Sequence, residues 1–556
     1  MERNKTLYGV PVARGVAIGR AFLRDDGQGL GEESLSGEGA LSRILAVLDE
    51  AANEMRESSR LLPIEVKRMT EAQIAILEDS GFRDSIKKGL ESGLPPDQSI
   101  SKAMEAMASK LESSSSEYMK ERAGEMRGLA REIIRLLTGR RPIPDDAVLV
   151  CEDITVPEAL RAVNSGVKAV IMERGAVTSH GVIILRDYHI PTLIEVFEAT
   201  KVIQEGTTLA VDGSGGMLIV DPDEETLASF QEKIADEKRE QEELEKLVGI
   251  ETKTLNGHRV EIMMNLDLPE EIALVEKVKK CGVGLFRTEY LFLTGRRDEE
   301  SQFRIYRNMA EAVHPYVFTV RTFDLGGDKV VGIQEANPFL GMRGIRFLMA
   351  RPDMFKAQLR AAVRANELGN LRIMFPMVSS LSELASAKAL YQEVVDELSP
   401  EHVPALGIMV EVPSVVMMAD EFAREVEFMS IGTNDLTQYT LAVDRQNFRV
   451  SHLYQQIDPA VLRGVHRVIE AGRSAGIPVS VCGELASDPV GALVLMSLGV
   501  RELSVSPPNY LRAKKMILNL KVEDMDMIRD SILSARTPEE IRRMAHWLIK
   551  QKGIPA

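Results

Sequence analysis

From Glu251 onward, eight short apolar runs alternate with helical patterns, and this repeat restricts the fold more than any other feature. The runs are Arg259–Asp267, Gly282–Tyr290, Val317–Asp324, Leu371–Val378, Ala405–Pro413, Phe428–Asp435, Pro478–Glu484 and Glu502–Pro507. Short apolar runs bounded by Gly, Pro and acidic residues read as buried strands. Parallel strands need helical crossovers, so the alternation predicts a (β/α)8 TIM barrel over 251–556. Functional side chains in such a barrel belong at the C-terminal ends of its strands.

The upstream half has a different texture. Leu7–Leu23 is β-branched and punctuated by Gly, which predicts one or two strands. Leu41–Leu61, Glu71–Ser80 and Ser115–Leu137 carry apolar residues at three- and four-residue spacing, the mark of amphipathic helices. Strand texture resumes at Ala147–Cys151, Ala169–Met172, Pro191–Ile194 and Leu209–Val211. We therefore expect one α/β domain built from 1–24 and 143–222, with a helical insertion over 25–142. Glu224–Val248 is dense in Glu, Lys and Gln, so 223–250 is expected to be a solvated linker helix. A chain of 556 residues is in any case too long for one core.

The net charge of −16 disfavours nucleic-acid and anionic-membrane partners. No apolar run is long enough to span a bilayer, so no membrane insertion is expected. Cys151, Cys281 and Cys482 are scattered without metal spacing, which fits a reducing, cytoplasmic setting. An acidic chain that binds an anion must gather its positive charge locally.

The expected strand ends do gather it. They carry Arg287 and Glu289, Arg321 and Asp324, Glu411, Asn434 and Asp435, then Cys482 and Glu484, with Arg445 shortly beyond Asp435. The loop after the third strand adds Gly326-Gly-Asp-Lys329 and Asn337–Arg343. Glu411 and Asp435 offer hard oxygen ligands of the kind Mg²⁺ takes, leaving part of its shell for substrate and water. Mn²⁺ also favours such oxygens. Arginine grips carboxylate or phosphate in a fork, so Arg287, Arg321, Arg343 and Arg445 suit a small molecule bearing both groups. Each residue alone has a plainer explanation, as a solvated arginine or a helix cap. Cys482 is either an inert buried thiol or, at the rim, a group that moves a proton at carbon.

A second site lies at Gly175-Ala-Val-Thr-Ser-His180-Gly-Val-Ile-Ile-Leu185. Thr178 or Ser179 can cap the apolar helix that follows, which puts His180 at its N-terminus. A phosphoryl group carried there would meet free N–H groups and the favourable end of the helix dipole. His189 and His452 are the nearest rivals, but neither begins a helix after paired hydroxyls.

The segments Arg287-Thr-Glu-Tyr-Leu-Phe, Arg321-Thr-Phe-Asp-Leu-Gly-Gly-Asp-Lys329, Asn337–Arg343, Ile431-Gly-Thr-Asn-Asp-Leu-Thr-Gln-Tyr and Cys482-Gly-Glu-Leu-Ala together resemble one family, and the likeness runs from near residue 6 to the end of the chain. It is enzyme I, the phosphoenolpyruvate (PEP)–protein phosphotransferases of the bacterial sugar phosphotransferase system. The resemblance implies that Arg287, Arg321, Arg343, Asn434 and Arg445 hold PEP, with Lys329 nearby and Asp435 serving both substrate and metal. It implies Mg²⁺ on Glu411 and Asp435, protonation of enolpyruvate by Cys482 to give pyruvate, and phosphorylation of His180 on Nε2. It further implies transfer to the small histidine phosphocarrier HPr docked on the helical insertion, a homodimer joined through the barrel, and a phosphohistidine domain that swivels between its two partners. The histidine loop departs from the family wording, with Ala176 and Val177 before the hydroxyl pair and Gly181-Val182 after the histidine. A non-catalytic, PEP-sensing relative with a different carrier is the alternative. PEP synthase and pyruvate phosphate dikinase share these modules but need an ATP-binding domain, for which no Gly-rich loop exists here.

Overall fold

The computed structural model describes residues 3–24, 38–58, 73–112, 117–138, 143–175, 179–188, 190–326, 335, 337–445, 447 and 449–554. Lys329, Thr178 and His189 lie outside the described residues, as does most of the Arg140–Pro144 junction. The chain divides into two compact units, Met1–Gln241 and Glu242–Ala556.

The first unit contains β1 (Lys5–Tyr8), β2 (Val10–Ala13), β3 (Val16–Leu23), β4 (Ala147–Cys151), β5 (Ala169–Met172), β6 (Thr192–Ile194), β7 (Thr208–Asp212) and β8 (Met217–Val220). They form one sheet in the order β1-β8-β7-β3-β4-β5-β6-β2. The run β3-β4-β5-β6 is parallel and its flanks are antiparallel. Strands β4 and β5 are buried throughout. Their alternate side chains feed two different cores, Leu149, Cys151, Val170 and Met172 on one face and Val148, Val150, Ala169 and Ile171 on the other. The helices Val156–Ser165 and His180–Asp187 cover the first of these faces through Val156, Ala159, Val182 and Leu185.

Between β3 and β4 the helices Glu38–Ser58, Ser80–Glu91, Pro96–Glu112 and Glu117–Thr138 enclose a core of their own, built on residues such as Ile44, Leu48, Phe82, Ile100 and Ile133. Two of them, Ser80–Glu91 and Pro96–Glu112, fall between the segments singled out by periodicity, within the stretch expected to be helical. Glu224–Glu245 is helical, and its Phe230 is buried against Ala210 and Ile219.

In the second unit β9 (Glu261–Leu266), β10 (Gly282–Arg287), β11 (Phe318–Arg321), β12 (Leu371–Phe375), β13 (Ala405–Val410), β14 (Phe428–Ile431), β15 (Val479–Val481) and β16 (Glu502–Val505) close into a barrel in chain order. Every neighbouring pair is parallel. Outward side chains such as Val283, Phe286, Ile373, Phe375, Ile408 and Val410 join the large core under the helices. Leu285, Met374, Met409, Phe428 and Cys482 form a separate cluster, which the alternation of side chains places inside the barrel.

The strands are shorter than the apolar runs that announced them. β14 stops at Ile431, and Asn434 and Asp435 belong to the first turn of the helix Thr433–Leu441. β10 stops at Arg287, and Glu289 opens the helix Glu289–Leu293. The polar residues past each end turn away from the ladder, which leaves helix N-termini along the rim.

Candidate active site at the barrel rim

Three of the rim's carboxylates come from different strand ends. Asp324 lies three residues beyond β11, Glu411 directly follows β13, and Asp435 sits in the helical turn after β14. Each offers an oxygen within 4.8 Å of the others, and all three residues are buried. Such crowding needs positive charge, which Arg343 and Arg321 provide.

Arg343 reaches the group because two loops pack backbone to backbone. The Gly344 N–H donates to the Leu325 carbonyl at 2.9 Å. Gly326 has φ +126°, and a Cβ there would run into the Met342 carbonyl and the Arg343 Cα. Glycine is therefore required at 326, both by conformation and by space. From this anchor Arg343 donates Nε to Asp324 Oδ1 at 3.1 Å and Nη2 to Asp324 Oδ2 at 2.9 Å. It also donates Nη1 to Asp435 Oδ1 at 3.0 Å and Nη2 to Asp435 Oδ2 at 2.9 Å. Its Nη1 lies 3.3 Å from the Tyr439 hydroxyl, which in turn donates to the Phe339 carbonyl at 2.5 Å.

Arg321, at the end of β11, donates Nη2 to Glu289 Oε1 at 2.6 Å and lies 3.5 Å from Asp324. The same Glu289 oxygen accepts the Asp324 N–H at 2.9 Å. Burial works against the Arg321 charge, and Glu289, Asp324 and Glu411 more than offset it. Its Nε is buried and has no hydrogen-bond partner.

Electrostatics separates the two acids named from sequence as metal ligands. Burial, followed by the charges of Asp435 and Asp324, pushes the Glu411 carboxyl up to about 8. Burial also works against the Asp435 charge, but Arg343 outweighs it and holds the carboxyl below its ordinary value. Among the described residues Glu411 accepts a hydrogen bond from the Met377 N–H at 3.2 Å, and Met377 has φ +56°. A bulky side chain in the left-handed region is uncommon and marks a constrained loop. Three hard oxygen donors around one point, one of them destabilised as an anion, fit a divalent cation.

Asn434 is held in a reciprocal pair. Its Nδ2 donates to Glu484 Oε1 at 3.2 Å, and the Glu484 N–H donates to Asn434 Oδ1 at 3.0 Å. Arg287 pairs with Asp267 at 2.9 Å and is partly exposed. The Arg445 N–H donates to Gln438 Oε1 at 3.2 Å, and its charge helps to lower Asp435. Cys482 directly follows β15, with Sγ 3.7 Å from the Ile431 carbonyl and its own carbonyl accepting from Asn265 at 2.9 Å. Burial raises its thiol above the ordinary range. At neutral pH it therefore carries its proton, as a donor must.

The structure thus brings Arg321, Arg343, Glu411 and Asp435 into one cluster, and adds Asp324 and Glu289 to it. Sequence reading placed Asp324 and Glu289 at strand ends without giving either a role. The three-residue step from Arg321 to Asp324 was the available signal, since it lets one loop turn back over the strand end.

His180 lies in the other unit. It opens the helix His180–Asp187 after Ser179, whose backbone is extended (φ −68°, ψ 142°). The imidazole itself lies outside the described side chains. A Cβ at Gly181 would sit 2.6 Å from the Ile154 carbonyl, so the helix start packs directly on the loop after β4.

Three family models match the chain: PEP-utilising enzyme, N-terminal, over residues 8–122; the mobile domain of the same enzymes over 143–216; and their PEP-binding domain over 241–522. Curated relatives named phosphoenolpyruvate-protein phosphotransferase align over nearly the whole chain. The Priestia megaterium protein is 36% identical, covering 97% of this chain and 98% of its own. Those of Bacillus sp. (strain S) and Geobacillus stearothermophilus are each 34% identical, covering 97% of both chains.

Proposed function

Because the chain belongs to the phosphoenolpyruvate-protein phosphotransferases among the PEP-utilising enzymes, we propose that His180 receives the phosphoryl group of PEP and passes it to a histidine of the phosphocarrier HPr. The chain is an enzyme of PEP-dependent phosphotransfer. The observation that carries the site assignment is the buried acid–arginine cluster at the barrel rim. A regulatory relative that only senses PEP would not need three carboxylates and a protonated thiol kept in place.

We assign Arg287, Arg321, Arg343 and Arg445 to the carboxylate and phosphate of PEP, with Asn434 and Asp435 beside them and Lys329 as a further phosphate contact. Glu411 and Asp435 would hold Mg²⁺, which neutralises charge on the substrate oxygens when bound. Mn²⁺ should substitute. The P–O bond to the enol oxygen breaks as a bond forms from phosphorus to an imidazole nitrogen of His180. Arg321 and Arg343 stay charged throughout and balance the enolate left behind. Cys482 then gives its proton to C3, which yields pyruvate, and regains one from solvent. Its raised thiol pKa and its place in the barrel interior support this role.

His180 belongs to one unit and the rim to the other, so the phosphohistidine body must travel between PEP and the carrier. We assign 1–24 and 143–222 to that swivelling body and 25–142 to carrier docking. Residues 223–250 form the linker and 251–556 the PEP barrel, through which the homodimer would form. No described helix is long and apolar enough to cross a membrane. The proposed setting is the cytoplasm.

The test is incubation with PEP labelled in its phosphoryl group, plus Mg²⁺, followed by mixing with purified HPr. Acid-labile label should appear on the chain, map to His180, disappear in His180→Ala, and move to HPr. Label on His189 or His452 would overturn the His180 assignment. Label that stays on His180 in the presence of HPr would overturn the carrier.

A further inference from the structure

A guanidinium sits where the barrel's acids converge. Arg343 uses one fork on Asp324 and the other on Asp435, with four contacts of 2.9–3.1 Å. It is buried, as are both carboxylates. Two of the three oxygens that could hold a divalent ion are therefore already engaged by an internal monovalent cation. A metal bound to Asp435 needs its oxygen at about 2.0–2.1 Å if it is Mg²⁺, and would then lie within a few ångströms of the guanidinium. At that separation the like charges repel strongly in a buried site. The two cations exclude each other.

We propose that Arg343 is a built-in guard of the metal site: a divalent ion must displace it from Asp435, and the released guanidinium fork then turns to the anionic substrate. The inference rests on the assignment of Glu411 and Asp435 as metal ligands, and adds an antagonist to them. Only the side chain needs to move. The Arg343 backbone is fixed by the Gly344–Leu325 hydrogen bond and the close approach at Gly326. The Tyr439 hydroxyl, 3.3 Å from Nη1 and tied to the Phe339 carbonyl, offers a contact that the guanidinium can keep as it turns. Metal alone should consequently bind weakly, because it must unmake the bidentate Arg343–Asp435 pair with nothing to receive the freed fork. An anion in the substrate position supplies that receiver.

The experiment is direct titration of the full-length protein with Mn²⁺ in the absence of PEP, with free Mn²⁺ read by electron paramagnetic resonance. Arg343→Met removes the competing charge and should tighten Mn²⁺ binding at least tenfold, even though the same change weakens PEP. Arg343→Lys keeps the charge but has no fork to span both carboxylates, and should tighten binding by a smaller factor. It decides the question if Arg343→Met does not fold, as judged by circular dichroism. Mn²⁺ affinity that is unchanged or weaker in the folded variants overturns the guard. Glu411→Gln, titrated in parallel, tests the premise separately. If it leaves Mn²⁺ affinity intact, the ligand assignment fails, and the guard proposal falls with it for that distinguishable reason.

Discussion

Glu289 is the residue whose removal tests the rim's architecture most sharply. Its Oε1 accepts from Arg321 Nη2 at 2.6 Å and from the Asp324 N–H at 2.9 Å, so one oxygen holds a buried arginine and a carboxylate-bearing loop. Both side chains of the pair are largely buried, at 6% and 11% exposure. Removing one partner of a buried pair costs about 3–5 kcal/mol, because the other charge is left uncompensated. An orphaned buried amide adds about 1–3 kcal/mol. Asp324 remains 3.5 Å from Arg321 and recovers part of the first term. The net expectation for Glu289→Ala is about 4 kcal/mol of lost barrel stability. Glu289→Gln keeps an acceptor for the Asp324 amide and loses only the charge, for about 2 kcal/mol. For a unit of this size each kcal/mol lowers Tm by about 2 °C, so calorimetry should find the barrel transition about 8 °C lower for Ala and about 4 °C lower for Gln. KM for PEP should rise in both as Arg321 loses its orientation. If the barrel melts at the wild-type temperature and KM is unchanged in Glu289→Ala, the account of Glu289 as the tie between Arg321 and Asp324 is refuted.

Cys482→Ala should depress pyruvate formation far more than PEP binding, the pattern of an interaction made mainly in the transition state; an equal loss of both returns the thiol to a packing role. Burial raises the Cys482 thiol above its ordinary range and favours its neutral form over the reactive thiolate. Iodoacetamide at pH 8.5 should therefore modify it far more slowly than free cysteine, and modification at the free-thiol rate would contradict the burial argument. Loss of an outer contact to a metal ligand already weakens metal affinity about 10–100-fold, so Glu411→Ala should do at least that, read as the Mn²⁺ concentration for half-maximal turnover. Unchanged metal dependence would remove Glu411 from the site.

The barrel was legible because each of its strands is buried on both sides, and such strands are written as unbroken apolar runs. Their ends were not. In Phe428–Asp435 the apolar letters stop at Ile431, yet Asn434 and Asp435 read as a continuation of the strand. They open a helix whose first turn is buried, so no amphipathic stripe announces it. Single helices within the expected helical insertion were hard to delimit for a related reason. Ser80–Glu91 buries little beyond Phe82 and Ile86 and carries glycines at 81 and 89, which blur its periodicity. Its start was nonetheless signalled by Asp79, whose side chain accepts the Phe82 N–H at 2.7 Å.

The candidate site shows a different boundary. Residue types at strand ends were readable one strand at a time, because barrel topology sends every strand end to the same rim. Pairing among them was not, because Arg343 meets Asp435 across 92 positions and Arg321 meets Glu289 across 32. No local period encodes such distances; they depend on how far each loop folds back over the rim. Gly326 and Gly344 decide that for Arg343, since only a close backbone approach lets its side chain span two carboxylates. A glycine in a rim loop therefore carries information about charge pairing that neither its own chemistry nor its neighbours' periodicity expresses. The same holds in the other unit, where Gly181 lets the His180 helix begin against the Ile154 carbonyl. A larger residue at 181 would push the helix start, and with it His180, off the Ile154 carbonyl. Glycine at 181 is thus the residue this chain's packing requires.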